Sequence, residues 1–578
     1  MDMVNVKING MPLSVPKNST ILEAARYAGI NIPTLCYMKE KNEIGACRIC
    51  VVEVKGAKSL VAACVYPVNE GMEVWTNTPK VQKSRKITLE LILSTHERKC
   101  LSCVRSGSCE LQRLCQEYGV DESRFEGENP HYDLDETTAY LVRDNNKCIL
   151  CRRCVAACNA QGIGVIGANN RGFDSTVGCS FDRKLDAVSC VGCGQCIVSC
   201  PTGALRERDD TDAVFDAIAD PTKHVVVHTA PSIRVTLGEC FGMPIGSNVK
   251  GKMVAALRRL GFDQVFDTDF GADLTIMEEA TEFIQRVNHG GVLPMITSCS
   301  PGWVKYCEHY YPELLPHLST CKSPQQMTGA AIKTWYAQKN GLDPKNIVSV
   351  AVMPCTAKKF ECGRDGEDAA GVPDVDYALT TRELARMIYR AHIDFSLLPD
   401  EDFDPAMGVT TGAAAIFGAT GGVMEAALRT AADVLEGKSL DAVDYEEVRG
   451  TADIKEAVYK IAGMEIKVAV ASGLANARQI LDKIKSGEAD YQFIEIMCCP
   501  GGCVNGGGQP LQPASVRNFN DLRAIRAKGL YEEDKALPLR KSHESPVVKV
   551  AYQEFFGEPG SHKAHEILHT HYVARKKY

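Results

Sequence analysis

KCILCRRCVAAC at 147–158 and CVGCGQCIVSCP at 190–201 repeat one spacing: Cys148-x2-Cys151-x2-Cys154-x3-Cys158, then Cys190-x2-Cys193-x2-Cys196-x3-Cys200, closed by Pro201. Two such runs suit two [4Fe–4S] cubanes, three cysteines of each run holding one cluster and the fourth crossing to the other. Buried structural thiols have no reason to repeat a spacing across eight positions. The expectation is a segment that carries electrons.

The two runs together resemble a bacterial two-cluster ferredoxin. The rest of the composition agrees with metal-bound thiols. The chain has 26 cysteines in 578 residues, yet at that length it needs no disulfide staples. It opens MDMVNVKING, without the apolar core of a secretory signal, so a reduced, cytoplasmic setting is expected. No run of about 20 apolar residues is present to span a bilayer. The net charge of −8 comes without a basic stripe, which argues against nucleic acid as a partner.

Outward toward the N-terminus, Val4–Ile8 alternates like a strand, Asn9-Gly10 is a hairpin signal, and a second short strand is predicted through Leu13–Val15. Thr20-x-x-Glu23 predicts a capped helix that Gly29 can end. Cys36, Cys47, Cys50 and Cys64 follow, spaced C-x10-C-x2-C-x13-C. They resemble a β-grasp [2Fe–2S] ferredoxin domain; four cysteines also satisfy tetrahedral zinc. Next, after a predicted helix over Lys86–Ser94, stands His96-x3-Cys100-x2-Cys103-x5-Cys109. Alone, this set equally suits zinc. Between two iron–sulfur modules, it resembles the [4Fe–4S] segment with one His and three Cys ligands found in complex I large subunits and modular hydrogenases. Cys115 reads as a free thiol.

Three later motifs put a catalyst at the end of this wire: Thr297-Ser-Cys-Ser-Pro-Gly-Trp303, Met353-Pro-Cys-Thr-Ala-Lys-Lys-Phe-Glu361 and Glu495-Ile-Met-Cys-Cys-Pro-Gly-Gly-Cys-Val-Asn-Gly-Gly-Gly-Gln-Pro510. Their order and separation resemble the signatures of [FeFe]-hydrogenases, and the resemblance covers essentially the whole chain. It implies an H-cluster: a [4Fe–4S] cubane joined to a diiron unit with CO, CN⁻ and a bridging azadithiolate. By the same resemblance Cys355, Cys499 and Cys503 hold the cubane, Cys503 bridges to the diiron unit, and Lys358 faces a cyanide. Gly501 and Gly502 suit a tight turn between ligands, and Gly506 to Gly508 are expected to let backbone approach the inorganic unit.

The chain departs from the family at one position. Two adjacent cysteines are usual in the first motif, a proton relay followed by a cubane ligand; here Cys299 is followed by Ser300. Serine is the harder and weaker donor. The fourth ligand could be the Ser300 alkoxide, a shifted Cys299, or a spare thiol, with Cys321 ranked ahead of Cys498 because it adjoins Lys322-Ser-Pro-Gln325. The hypothesis at this stage is that Cys299 keeps the relay role and the fourth iron site is altered. Cys179, Cys240, Cys307 and Cys362 read as inert core thiols.

The resemblance also implies a proton relay from Cys299 through Glu279, Ser319 and Glu282 to Arg286; the two glutamates and the arginine fall along one helix face. It assigns the pocket to Ala230, Pro231 and Ser232 as cyanide donors, Met353, Met497 and Phe417 as a dry wall, and Ser323 and Gln325 around them.

The expected architecture is α+β and multidomain: a β-grasp [2Fe–2S] domain at 1–80, the His-and-three-Cys segment at 81–125, the two-cubane ferredoxin domain at 139–209, and a two-lobed α/β H-cluster domain at 210–578. Tyr118–Thr138 reads as a connector. The expected cofactors are one [2Fe–2S], three accessory [4Fe–4S] clusters and the H-cluster. The expected reaction is 2H⁺ + 2e⁻ ⇌ H₂, with ferredoxin as electron partner and maturation proteins for assembly. With no Gly-x-Gly-x-x-Gly after a predicted strand, NAD(P) would enter only through a flavin- or NAD(P)-binding subunit of an electron-bifurcating complex. A low-turnover H₂ sensor is the reading from a different class.

Overall fold

The computed structural model describes residues 2–121, 124, 125, 127–441 and 443–577. Asn9 and Gly10 take φ of 49° and 84°, the left-handed pair that a two-residue hairpin turn requires. They join the antiparallel strands Met3–Ile8 and Met11–Pro16, the second longer than predicted. Thr20 and Glu23 form the expected capping box on helix Ile21–Tyr27. Met3–Ile8 pairs parallel with Met72–Trp75, and Val51–Val54 and Val61–Ala62 complete a five-stranded β-grasp sheet.

Helix Pro79–Ser94 starts earlier than predicted: the Thr78 hydroxyl accepts the Val81 N–H, and Pro79 occupies the first turn, where its missing N–H has no cost. Its Leu89 and Leu93 pack on Leu111 and Leu114 of helix Glu110–Tyr118. Residues 122, 123 and 126 of the expected connector lie outside the described residues; the described residues between Tyr118 and Thr138 form neither helix nor strand.

Two sheets build the C-terminal half. In the first, Gln264–Asp267, His224–Thr229, Ile347–Met353 and Tyr377–Thr380 are all parallel. Both faces are covered, as such a sheet demands: Val225 and Val227 face helices Lys250–Leu260 and Thr381–Arg390, while Val226 faces Phe266, Phe270 and Met327. In the second, Met295–Ile296, Phe493–Met497 and Met464–Ser472 are parallel. Its edge strand Ile454–Ile461 is antiparallel. The tight turn at Ala462-Gly463, with φ of 49° and 78°, returns the chain directly and leaves no room for a crossover helix.

Helix Asp269–His289 bridges the lobes. Phe270 and Leu274 enter one core, while Ala272, Ile276 and Phe283 enter the other. At its start the fully buried Arg234 guanidinium binds Asp267 at 2.7 Å, Asp269 at 3.0 Å and Glu533 at 3.0 Å. It joins a strand end, a helix start and the C-terminal helix Leu522–Ala536. Burial pushes the Asp269 carboxyl well up, against the pull of Arg234.

Arg234→Met should therefore leave buried carboxylates without their cation and cost about 3–5 kcal/mol. Anaerobic denaturant unfolding followed by tryptophan fluorescence checks this, and an unchanged midpoint would remove the network from the list of stabilising contacts.

Candidate functional site

The eight cysteines of the double run separate as their spacing predicts. Cys148, Cys151, Cys154 and Cys200 line one cavity; Cys158, Cys190, Cys193 and Cys196 line the other. Leu150, Arg152, Gly192 and Gly194 take positive φ, turning the chain so that three sulfurs of each run face inward.

Nearer the N-terminus, the Cys50 and Cys64 sulfurs lie 3.4 Å apart, and Cys36 is within hydrogen-bonding reach of Cys47 and Cys64. Asn42 ties this site to the first cavity, donating to the Cys36 carbonyl at 2.7 Å and the Cys151 carbonyl at 3.0 Å. The His96–Cys109 set borders the same cavity. A Cβ on Gly203 would meet the Cys103 sulfur at 2.7 Å, and Cys109 lies 3.6 Å from the Pro201 carbonyl. Burial lowers the pKa of His96, holding the imidazole neutral, and its Nδ1 is buried with no hydrogen-bond partner. A neutral ring with a free nitrogen is the form a metal accepts. Cys100 is exposed, and the Cys115 thiol, surplus to the set, is pushed up by burial to about 11. Buried Arg153 locks the region, donating to Glu110 at 3.1 Å and to the Leu35 carbonyl at 3.1 Å.

The second cavity meets the C-terminal half. Thr356 donates to the Gly192 carbonyl at 2.6 Å, Gln195 to that of Asn505 at 3.0 Å, and Gln161 to that of Cys498 at 3.0 Å. A Cβ on Gly194 would lie 2.8 Å from Gly507 Cα, and one on Gly507 would lie 2.3 Å from the Cys193 carbonyl. Gly506 and Gly508 press likewise on Pro354. These glycines admit protein backbone, of the ferredoxin loop at Gly507 and of Pro354 at Gly506 and Gly508. Gly501 and Gly502, with φ of 84° and 93°, do make the tight turn between Cys499 and Cys503.

Every motif of the C-terminal half leaves the carboxyl end of a parallel strand, where open α/β sheets place their sites. Ala230-Pro231-Ser232 follows His224–Thr229, Cys299 follows Met295–Ile296, Cys355 follows Ile347–Met353 and Cys499 follows Phe493–Met497. Cys355, Cys499 and Cys503 are mutual electrostatic neighbours, and Lys358 faces Cys355 and Cys503. Burial pushes the Cys503 thiol up to about 12, so only a bound metal would hold it as thiolate. Ala230, Pro231, Ser232, Met353, Phe417 and Met497 are all buried. Gln509, absent from the sequence expectations, donates to the Cys503 carbonyl at 2.9 Å and to Ser232 at 3.3 Å. The donor set and the dry wall fit a cubane joined to a small inorganic unit.

The Lys358 ammonium donates to Ser323 at 2.7 Å, to Glu361 at 2.7 Å and to the Cys299 carbonyl at 3.3 Å. Glu361 was also missed as a site residue; it keeps the lysine charged inside an apolar site, and only the i,i+3 spacing hinted at it. Gln325 donates to the same Glu361 at 3.2 Å, while its Oε1 is buried without a partner. The Cys299 thiol is buried toward Glu279 and Cys503.

From Cys299 outward, Glu279 comes first, with both carboxylate oxygens buried and unpartnered. Ser319 donates to Glu282 at 2.9 Å, and Arg286 donates to Glu282 at 2.6 Å. Arg286 also donates to the Val292 and Leu318 carbonyls, at the rim of the fold. Cys321 does not join the cubane set: its sulfur lies 3.7 Å from Glu282, hemmed in by Glu278 and Glu279. This corrects its ranking as first substitute ligand; adjacency to Lys322–Gln325 in the chain does not carry its side chain to the metal face. A side branch was not foreseen: His569 pairs with Thr320 at 2.8 Å and with Glu278 at 3.1 Å. Partners some 250–290 residues apart leave no local signal.

Five family descriptions match the chain: "2Fe-2S iron-sulfur cluster binding domain" at 1–79, "NADH-ubiquinone oxidoreductase-G iron-sulfur binding region" at 85–124, "4Fe-4S dicluster domain" at 147–204, "Iron only hydrogenase large subunit, C-terminal domain" at 223–507 and "Iron hydrogenase small subunit" at 520–575. The chain is 49% identical over 590 residues to the "NADP-reducing hydrogenase subunit HndD" of Solidesulfovibrio fructosivorans, covering 100% of each. It is 46% identical over 575 residues to "Iron hydrogenase 1" of Clostridium pasteurianum, covering 99% of this chain and 100% of that one. A solved variant of the [FeFe]-hydrogenase HydA1 from Chlamydomonas reinhardtii is 40% identical, with a TM-score of 0.57, over 64% of this chain and 100% of that one.

Burial, then the neighbouring Glu282, pushes Glu279 up to about 8. The folded protein thus keeps a proton there that the unfolded chain loses above an ordinary carboxyl pKa near 4.5, and stability contributed at this position falls as pH rises from about 4.5 to about 8. Glu279→Gln, which cannot ionise, should gain thermal stability relative to the parent across that window and lose roughly 10²–10⁴-fold in turnover. A stability difference independent of pH would mean that Glu279 ionises normally.

Proposed function

The chain belongs to the iron-only, or [FeFe], hydrogenases, and from that membership we propose how it divides electron and proton traffic. The enzyme interconverts protons, electrons and H₂. The H-cluster, when bound, supplies the iron at which they combine; the protein supplies the ligands, the dry enclosure and the two routes. One observation carries the division: the ferredoxin loop touches the site at Thr356, Asn505 and Gly507, while the acidic chain behind Cys299 leads along helix Asp269–His289 to Arg286.

Cys36, Cys47, Cys50 and Cys64 would hold one [2Fe–2S] cluster, and His96, Cys100, Cys103 and Cys109 a cubane. Cys148, Cys151, Cys154 and Cys200 would hold a second cubane beside both, and Cys158, Cys190, Cys193 and Cys196 a third, next to Cys355, Cys499 and Cys503. These groups would supply the stepping points for electrons. The boundaries 1–80, 81–125, 139–209 and 210–578 divide these roles. Lys358, charged through Glu361, and the Ala230–Ser232 turn hold the anionic face of the inorganic unit. Cys299 passes protons to and from Glu279, Ser319, Glu282 and Arg286; the unpartnered Glu279 carboxyl can turn between Cys299 and Ser319, which a fixed hydrogen bond would prevent.

Reduced ferredoxin is the electron partner in the main reading. A second reading, association with a subunit that binds flavin and NAD(P), draws on the relative named as an NADP-reducing hydrogenase subunit and on the match to the complex I iron–sulfur region. Leu101, beside exposed Cys100, has its side chain wholly in solvent, as a docking residue would before a partner covers it. Among the described residues no helix is long and apolar enough to cross a membrane.

The deciding experiment is H₂ evolution with reduced methyl viologen under strict anaerobiosis, on protein loaded with the diiron unit and checked by infrared for CO and CN⁻ bands. Bands with turnover are expected. Bands without turnover would move the protein to H₂ sensing. Cys299→Ala should keep the bands and lose about 10²–10⁴-fold in rate; loss of the bands would make Cys299 a ligand. Native purification separates the partners: a flavoprotein that co-elutes and confers NAD(P)H-dependent activity favours the second reading.

A further inference from the structure

Three cysteines face the cubane of the H-cluster, and a cubane takes four ligands. The fourth position of the usual set holds Ser300, whose hydroxyl oxygen is already engaged, accepting the Cys498 N–H at 3.2 Å. Cys498 itself is buried, directly after strand Phe493–Met497 and directly before Cys499. Its sulfur lies against the start of helix Pro301–Tyr310, where a Cβ on Gly302 would come within 2.7 Å of it. Only a glycine at that position leaves room for the thiol. The same sulfur is in hydrogen-bonding reach of Cys499 on one side and Cys193 on the other. Cys193 belongs to a cavity with its own full set of Cys158, Cys190, Cys193 and Cys196. Cys498 therefore stands between one complete set of four thiols and one incomplete set of three.

Resting on the hydrogenase reading above, we propose that Cys498 is the fourth protein ligand of the H-cluster cubane, replacing the thiolate lost at Ser300. On binding, the Cys498 S–H bond breaks, an Fe–S bond forms and the proton leaves to solvent; no electron is transferred. Cys321 is turned to Glu282, and Cys299, which lies between Glu279 and Cys503, is the competitor that the test below separates. Because Cys498 also touches Cys193, the assignment brings ligands of the two cubanes into contact and shortens the last electron step. Ser300 is left a structural role, with its oxygen fixing the Cys498 backbone so that the side chain turns toward the metal.

The test uses the full chain carrying its iron–sulfur clusters but not the diiron unit, so that iron is read before any activity depends on it. Parent, Cys498→Ala, Ser300→Ala, Cys299→Ala and the double variant Ser300→Cys/Cys498→Ala are compared by iron per chain and by ⁵⁷Fe Mössbauer spectra. Thermal unfolding checks that each is folded. Cys498→Ala should lose about four iron atoms, one cubane; Ser300→Ala and Cys299→Ala should keep the parent spectrum; the double variant should regain the missing cubane and, once loaded with the diiron unit, the CO and CN⁻ bands. Cubane loss in Ser300→Ala or Cys299→Ala with retention in Cys498→Ala overturns the proposal, as does a loss in Cys498→Ala that Ser300→Cys fails to repair. A parent that carries all its cubanes but shows no CO or CN⁻ bands after loading would count against the hydrogenase reading alone.

Discussion

Backbone against backbone at Gly194 and Gly507 is the constraint on which the rest of the structure depends. With the Gly507 Cβ position 2.3 Å from a carbonyl oxygen of the opposing loop, any side chain there would force the cubane-bearing loop away from the catalytic half. Close approach of those two loops shortens the gap between the candidate cluster sites, and hydrogen bonds from Thr356, Gln195 and Gln161 hold the contact in register. The two-cubane module is thus oriented by the catalytic half. The [2Fe–2S] and His-and-three-Cys modules are oriented in turn by Asn42 and Arg153. A linear order of modules in the chain becomes a converging order of sites.

The proposed proton route lies on the other side of the candidate metal site. Helix Asp269–His289 bridges both lobes, so Glu279 is deep in the core while Arg286, seven residues on, is at the rim. One rigid element therefore spans the distance from the metal to solvent. The electrostatics change along it. Glu279 has no close hydrogen bond, with Ser319 and the Ser298 N–H within reach, and is pushed up by burial, whereas Glu282 binds Arg286, Ser319 and the Thr320 N–H. An acid raised by burial lies next to a charge-paired one, and that gradient is what the proposed relay would use.

The site keeps its charges inside a dry enclosure by pairing them locally. Lys358 is buried, yet Glu361 and Ser323 hold its ammonium at 2.7 Å each, which favours the charged form against the cost of burial. Arg234 does the same work for the first lobe with Asp267, Asp269 and Glu533. Lys358 and Arg234 are themselves shielded from the bulk solvent that would screen them, so both networks fix geometry as much as they neutralise charge.

The sequence alone determined the features that rest on local chemistry. Ligand spacings, the Asn9-Gly10 turn, the Thr20–Glu23 capping box and the i,i+3 and i,i+4 spacing of Glu279, Glu282 and Arg286 are short-range patterns that need no partner to be read. The identity of the family was legible for the same reason, because three contiguous motifs carry it. Tertiary structure alone decided everything that joins distant segments. It showed that Gly506 to Gly508 admit protein backbone, that the hairpin at Ala462-Gly463 makes one edge strand antiparallel, that Glu361 and Gln509 belong to the site, and that Cys321 faces Glu282 while Cys498 faces Cys499. Those outcomes depend on where a side chain points after strands and helices have packed. A one-residue step along a strand end turns a thiol from one wall to another, and no spacing in the chain records which wall the packing puts there.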